Sequence, residues 1–391
     1  MAITDKRAVL MLGAGVSAPF NVPLGGQMID AIRRQILRER PDLPSGQKKG
    51  MSHVVGQAFH SHVDFLQYPI HATMGLQKEN ISGNSFIPGK FDASMRKVED
   101  LFHRLDGQTS ETIDDFIVQN ESLADVAKIA VAAVLFLRTY CLDHHGRSLT
   151  PKPLDRRFCG HLFEASEAQK RPELDQRNWI HHLINIIRNH RRLRPDDTHK
   201  VEIITFNYDT ILEYVLDQQF ANTDAEHGNW RDHIRILHVH GACGLIENFE
   251  HNLPLPRKPP CDLVREWAAG IHVVNDSSPP SDAVQADRKT AAALIHDATR
   301  IHCVGFSFAE SNVRLLELDR KRGGVLNYCN YDANVGVKMS AEKCGTKPPS
   351  SSELESDARK KLKVEENANS DRRPMEVADW FKIGYAGALP G

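Results

Sequence analysis

The first strongly patterned stretch is Ala8-Val9-Leu10-Met11-Leu12, apolar at every position and followed by Gly13 and Gly15. A short run without polar alternation fits a strand buried on both faces of a parallel sheet. After the glycines, Met28, Ile29, Ile32, Ile36 and Leu37 fall at helical spacing, and Pro41 and Pro44 close the predicted helix. Runs of the same continuous kind recur at 201–207, 234–240, 301–306 and 325–329, with a weaker one at 271–274. Helical periodicity at 210–219, 286–298 and 311–320 separates several of them. That alternation predicts an α/β fold, a Rossmann-like doubly wound parallel sheet.

Between the first helix and the second strand lies a long excursion. Residues 42–91 are polar and weakly periodic, after which 94–105, 113–119, 122–140 and 178–190 read as helices. The expected organisation is a sheet domain from 1–40 and 200–345, an inserted and mostly helical subdomain at 41–199, and a charged linker and tail at 346–391. Within that tail, 347–371 is rich in Ser, Pro, Glu and Lys and is expected to be a solvated linker or an exposed helix.

Composition narrows the classes. In 391 residues, 41% hydrophobic and 26% charged content excludes a fibrous or wholly disordered chain. Lys and Arg number 49 against 51 Asp and Glu, a net charge of −2, so no overall basic field points to nucleic acid or an anionic membrane. The basic segment Arg188 to Arg194 is expected to be a solvated loop, with no direct nucleic-acid binding. Seven cysteines form no C-x-x-C pair, which argues against a disulfide framework or a four-thiolate zinc site. The longest apolar run, 126–137, contains Lys128 and is shorter than the ~18 residues of a membrane span, so it reads as a buried helix. Gly13 and Gly15 interrupt the one stretch that imitates a secretory signal, and a cytoplasmic location is expected.

Four places carry candidate chemistry. GAGVSA at 13–18 lies between a strand and a helix, where backbone N–H groups and a helix N-terminus can hold a pyrophosphate; a tight turn with packing glycines is the alternative. An ordinary dehydrogenase also needs an acidic residue on a second strand about 20 residues on, and here that window is helix followed by prolines. Asn207 and Asp209 stand at the carboxyl end of the second strand, two apart and so directed alike. Asp209 or Thr210 capping the next helix explains one of them and leaves Asn207 unexplained. His238 and His240 offer a base or hydroxyl-binding group near neutral pH, or with Cys243 a metal site that lacks a fourth ligand. Finally, Gly305, Ser307 and Phe308 follow the fourth strand.

The order of these motifs, GAGVS, TFNYD, HG and GFS, resembles the sirtuins and more closely the sirtuin-like domain of bacterial anti-phage proteins, over about residues 7–335. ETIDDFI at 111–117 is similar to a segment of that group. The resemblance implies that Gly13, Ala14, Gly15 and Ser17 hold the NAD+ phosphates and neighbouring ribose. It sets Asn207 and Asp209 beside the nicotinamide ribose, His240 on its hydroxyls or taking a proton, and Gly305, Ser307 and Asn330 at the adenosine half. Protein-deacylating sirtuins carry two C-x-x-C pairs after H-G for a structural zinc, whereas Cys243 and Cys261 here belong to no such pair. No zinc is expected, and with that module missing water becomes the expected acceptor. The implied activity is hydrolysis of NAD+ to nicotinamide and ADP-ribose, depleting NAD in anti-phage defence. Lysine deacylation and a non-catalytic NAD or ADP-ribose binding module remain as alternatives. The implied partners are further copies of the chain or a protein such as a HerA-type ATPase or a short Argonaute.

Overall fold

In the computed structural model the described residues are 7–35 save 21 and 24, 100–105 save 102, 112–142, 149–151, 179–221 save 195, 229–244, 260–274, 279–320, 323–329, 335–346 and 363–366. The apolar runs become parallel strands: β1 (Ala8–Leu12), β2 (Val201–Thr205), β3 (Ile234–His238), β4 (Arg300–Val304) and β5 (Val325–Cys329). A short β6 (Lys363–Glu366) pairs with β5 and completes the order β3-β2-β1-β4-β5-β6. Leu12 pairs with Thr205 on one side and Val304 on the other. In this order the sequence of strands reverses between β1 and β4, and open α/β sheets bind ligands in the crevice beyond the carboxyl ends at that point.

Both faces of the sheet are covered, which explains runs without polar alternation. On one side Leu10, Leu12 and Ile203 pack against α4 (Trp179–Leu193) and α5 (Ile211–Ala221). On the other, Val9, Met11 and Ile204 meet α7 (Asp282–Asp297), α8 (Glu310–Leu315) and α9 (Val335–Thr346). A third apolar core joins α1 (Gly25–Gln35), α2 (Ile113–Gln119), α3 (Ala124–Thr139) and α6 (Pro260–Ala269). The run around Lys128 is the central helix α3 of that core, buried along its length from Val126 to Phe136. Among the described residues no helix is long and apolar enough to cross a membrane.

The structure departs from the sequence expectation in several places. Residues 271–274 form no strand: Ile271 N–H bonds the Ala268 carbonyl at the end of α6, and Ile271 and Val273 are buried in the helical core. Within 347–371, expected to be a solvated linker or an exposed helix, 363–366 is instead a strand at the sheet edge. The helix expected over 311–320 stops at Leu315, because Glu317 takes φ 51 and a single 3-10 turn follows. A two-stranded antiparallel ribbon, Tyr140–Leu142 with Leu149–Pro151, follows α3. Asn330 and the polar region 42–91 lie outside the described residues.

Candidate functional site

Two glycine turns meet where the strand order reverses. Gly13 N–H bonds the Val304 carbonyl at 3.1 Å, Gly15 N–H bonds the Gly305 carbonyl at 3.1 Å, and Gly305 N–H bonds the Cys329 carbonyl at 3.0 Å. A Cβ on Gly13 would lie 2.4 Å from the Gly305 oxygen, and one on Gly15 2.7 Å from the Gly305 Cα. Gly305 itself has φ +62, a left-handed conformation suited to glycine. These glycines therefore first serve close backbone approach. The N–H groups of Val16 and Ser17 are also bonded, to the carbonyls of Gly13 and Ala14. Ala14, exposed, heads the 3-10 turn Ala14–Val16, and the N–H at such a position has no partner within the turn.

The turn delivers Ser17 to the end of β2. Ser17 Oγ donates to Asp209 Oδ2 at 2.8 Å and accepts from Asn207 Nδ2 at 2.9 Å. Asn207 and Asp209 thus point the same way, as their spacing predicts. Asp209 Oδ1 also accepts from Ile211 N–H at 3.3 Å, so this one residue both caps α5 and reaches the site. Trp179 on α4 donates its indole N–H to the Val16 carbonyl at 2.8 Å and pins the turn from behind.

His238 rather than His240 stands next to Asn207. Its Nε2 is 2.5 Å from Glu213 Oε1 and its Nδ1 is 3.3 Å from the Asn207 carbonyl. The buried Asn207 Oδ1 and Glu213 Oε2 have no hydrogen-bond partner. Ser17, Asn207, Asp209, Glu213, His238 and Trp179 line a small cavity with room for about one water molecule. Asp209 keeps some exposed surface, yet its carboxyl lies among protein atoms, and that burial raises its pKa against the opposing bonds from Ser17 and Ile211. Burial pulls His238 down, but the Glu213 charge and hydrogen bond, with the Asn207 carbonyl and Asp209, hold it above its ordinary value.

His240 forms a second cluster. β3 ends at His238 and the chain turns, with Gly241 at φ +75, so the two imidazoles part. His240 Nε2 lies 3.0 Å from Asn312 Oδ1 on α8, and its ring stacks on Tyr208 at 5.8 Å and meets Phe206 edge-on at 5.3 Å. Tyr208, between Asn207 and Asp209, points to the opposite side and donates its hydroxyl to Asp114 Oδ1 of α2 at 2.6 Å. Burial lowers the His240 pKa, Asp114 partly offsets that, and Arg288 adds to it.

The remaining candidates separate. Ser307 is exposed, and Phe308, at φ 55, packs its ring on Phe306 and Tyr328. Cys243 is buried, bonds the Trp267 carbonyl at 3.5 Å and has a thiol pushed well up by burial; with His238 and His240 divergent, the three form no ligand set. Among the described residues no group of three or more His, Cys, Asp or Glu is placed to hold a metal. The basic segment, expected as a solvated loop, is instead the C-terminal part of α4 through Leu193: Arg188 bonds the Gln219 carbonyl and lies over Phe220, Arg191 bonds the His199 carbonyl and Arg192 bonds Asn189. Sequence reasoning did not single out Glu213, Asn312 or Trp179, and it noted Asp114 only within the ETIDDFI segment. Glu213 carried a further signal, as an acid one helical turn beyond Asp209. No model of a known protein family matches the sequence, and no curated protein matches it.

Proposed function

We propose that this chain is an NAD+ glycohydrolase that cleaves NAD+ to nicotinamide and ADP-ribose at the carboxyl edge of the sheet. The supporting observation is the Ser17–Asn207–Asp209 network: residues 190 positions apart are hydrogen-bonded beside the crevice of an α/β sheet. In the reaction the C1′–nitrogen bond breaks, the sugar becomes oxocarbenium-like, and water supplies the oxygen that joins C1′. Nicotinamide leaves neutral because it is cationic in NAD+, so no general acid is required. Asn207, whose Oδ1 lacks a partner, orients water or ribose, and Asp209 faces the developing positive charge. His240 acts through a ribose hydroxyl; its lowered pKa favours the neutral imidazole that a base requires. Gly13, Ala14, Gly15 and Ser17 lie along the phosphates and neighbouring ribose, and Gly305, Ser307 and Asn330 along the adenosine half.

In this reading the insertion at 41–199 supplies α2 and α3 to a helical subdomain, with α4 of the same span packed on the sheet, and the protein is a cytoplasmic effector that depletes NAD during phage infection. It works as a homo-oligomer or with a partner such as a HerA-type ATPase or a short Argonaute. A second reading, a non-catalytic NAD or ADP-ribose binding module, draws support from the internal bonding of the Gly13, Gly15, Val16 and Ser17 N–H groups. Incubation of the purified full chain with NAD+ and an acetyl-lysine peptide, with products resolved by chromatography, separates the readings. Nicotinamide and ADP-ribose in equal amounts, independent of peptide, is the expected result. NAD+ bound but intact supports the binding module, and peptide-dependent nicotinamide release would make the chain a lysine deacylase.

A further inference from the structure

The register of β2 and β3 sets His238 beside the strand end that carries Asn207. Thr205 and His238, the last residues of the two strands, pair directly, and Asn207 lies two residues beyond Thr205. Asp287 of α7 accepts the His238 backbone N–H at 3.1 Å and anchors that residue from outside the sheet. From the other direction α5 begins at Ile211, so Glu213 falls in its first turn and reaches the same place, 2% exposed. A buried carboxylate is costly unless it is paired and its oxygens are hydrogen-bonded. Glu213 Oε1 has His238 Nε2 at 2.5 Å, whereas its Oε2 takes no donor. The other ring nitrogen, Nδ1, faces the Asn207 carbonyl at 3.3 Å. A carbonyl and a carboxylate only accept, so both ring nitrogens donate and the pair is an imidazolium held on a carboxylate.

Asn207 has the matching deficit. Its Nδ2 is spent on Ser17 and its backbone N–H on Thr205 Oγ1 at 3.1 Å, but its buried Oδ1 takes no donor. Asn207, Glu213 and Thr205 all line the cavity that has room for about one water molecule. One water has two protons, one for each oxygen, and the Thr205 hydroxyl keeps a proton to give in return. Three bonds is the usual number for a buried water. We propose that Glu213 and His238 are positioning residues for Asn207, His238 holding its carbonyl and Glu213 holding its side-chain oxygen through one buried water. The inference rests on the reading of Asn207 as the group at the reacting centre and extends it to two residues to which the resemblance assigns no role. An amide oxygen has two lone pairs, so the water leaves one for the part proposed above.

The test joins diffraction to steady-state kinetics on the full chain and its Glu213→Met and Glu213→Gln variants, matched for folding by thermal melt. Wild-type crystals that show ordered solvent are expected to hold one water about 2.7–3.2 Å from both Asn207 Oδ1 and Glu213 Oε2. No water there overturns the bridge, whether or not Glu213→Met folds. Glu213→Met fills the space without an acceptor, so kcat for nicotinamide release should fall at least about 10-fold while KM changes less than about 2-fold. That split is the one expected when a reacting group is misplaced and binding is not. Glu213→Gln can donate to His238 Nε2 and accept from the water, and it should recover most of the loss. A folded Glu213→Met with the wild-type kcat, or a loss carried by KM alone, overturns the positioning role. Glu213→Gln as slow as Glu213→Met overturns the water bridge. If wild type releases no nicotinamide the hydrolase reading falls, and diffraction alone then decides. Loss of the water in Glu213→Met with the Asn207 side chain turned upholds the inference, and an unmoved Asn207 overturns it.

Discussion

Replacing Gly305 with alanine probes the contact between the two glycine turns. The backbone there has φ +62, which costs an L-residue about 1–2 kcal/mol. The new Cβ would lie 2.7 Å from Val16 N and 2.8 Å from both the carbonyl carbon and the Cα of Gly15. All three are backbone atoms, so relief requires the turns to separate, at an overpacking cost of about 1–3 kcal/mol. The stiffer unfolded chain returns only about 0.4–1 kcal/mol. The net loss centres near about 3 kcal/mol, read as a lower urea midpoint at unchanged slope with tryptophan fluorescence as the signal. Ser307→Ala, two residues on and exposed, is the matched control and is expected within about 0.5 kcal/mol of wild type. A Gly305→Ala variant as stable as that control would refute the view that these glycines exist for backbone approach.

The folded-state pKa of His238 is raised, so its pairing with Glu213 stabilises fully below the ordinary histidine value of about 6.5 and is lost as pH rises through the folded value. The stability advantage of wild type over Glu213→Gln should therefore shrink from pH 6 to pH 9; a constant or growing advantage in urea titrations contradicts the pairing. Trp179→Phe leaves the buried Val16 carbonyl without its indole donor and should cost about 1–3 kcal/mol by the same titration, a loss under about 0.5 kcal/mol being the contrary result. Cys243, buried and with a thiol pushed well up, should resist iodoacetamide at pH 8 until the protein is unfolded, and rapid native labelling in a peptide map would count against its placement.

Much of the sheet was legible because both its faces are covered, so β1, β2, β4 and β5 stand out as continuous apolar runs. The same reasoning misread 271–274, since Ile271 and Val273 are as apolar as strand residues but are buried by helices. β6 gave no signal: Lys363-Val364-Glu365-Glu366 is a short charged edge strand, and only its pairing with β5 defines it. Ser17, Asn207 and Asp209 could be found because the carboxyl ends of buried strands follow from the runs themselves. The residue pattern alone does not divide the roles of His238 and His240, because the division depends on where β3 stops; the choice of His240 comes from the resemblance. Glu213, Asn312 and Asp114 come from separate helices and meet the histidines only through tertiary packing.

If the carboxyl end of β2 carries the chemistry as proposed, nicotinamide release by Asn207→Ala is the most sensitive readout. Asn207 Oδ1 has no bond from a protein donor to lose, and its Nδ2 gives up one bond to Ser17, so the variant should stay folded by thermal melt. With folding matched and NAD+ saturating, the rate is predicted to fall at least about 100-fold, the order expected for removal of a group that positions or stabilises charge at the reacting centre. A folded Asn207→Ala protein that releases nicotinamide at the wild-type rate would contradict the account.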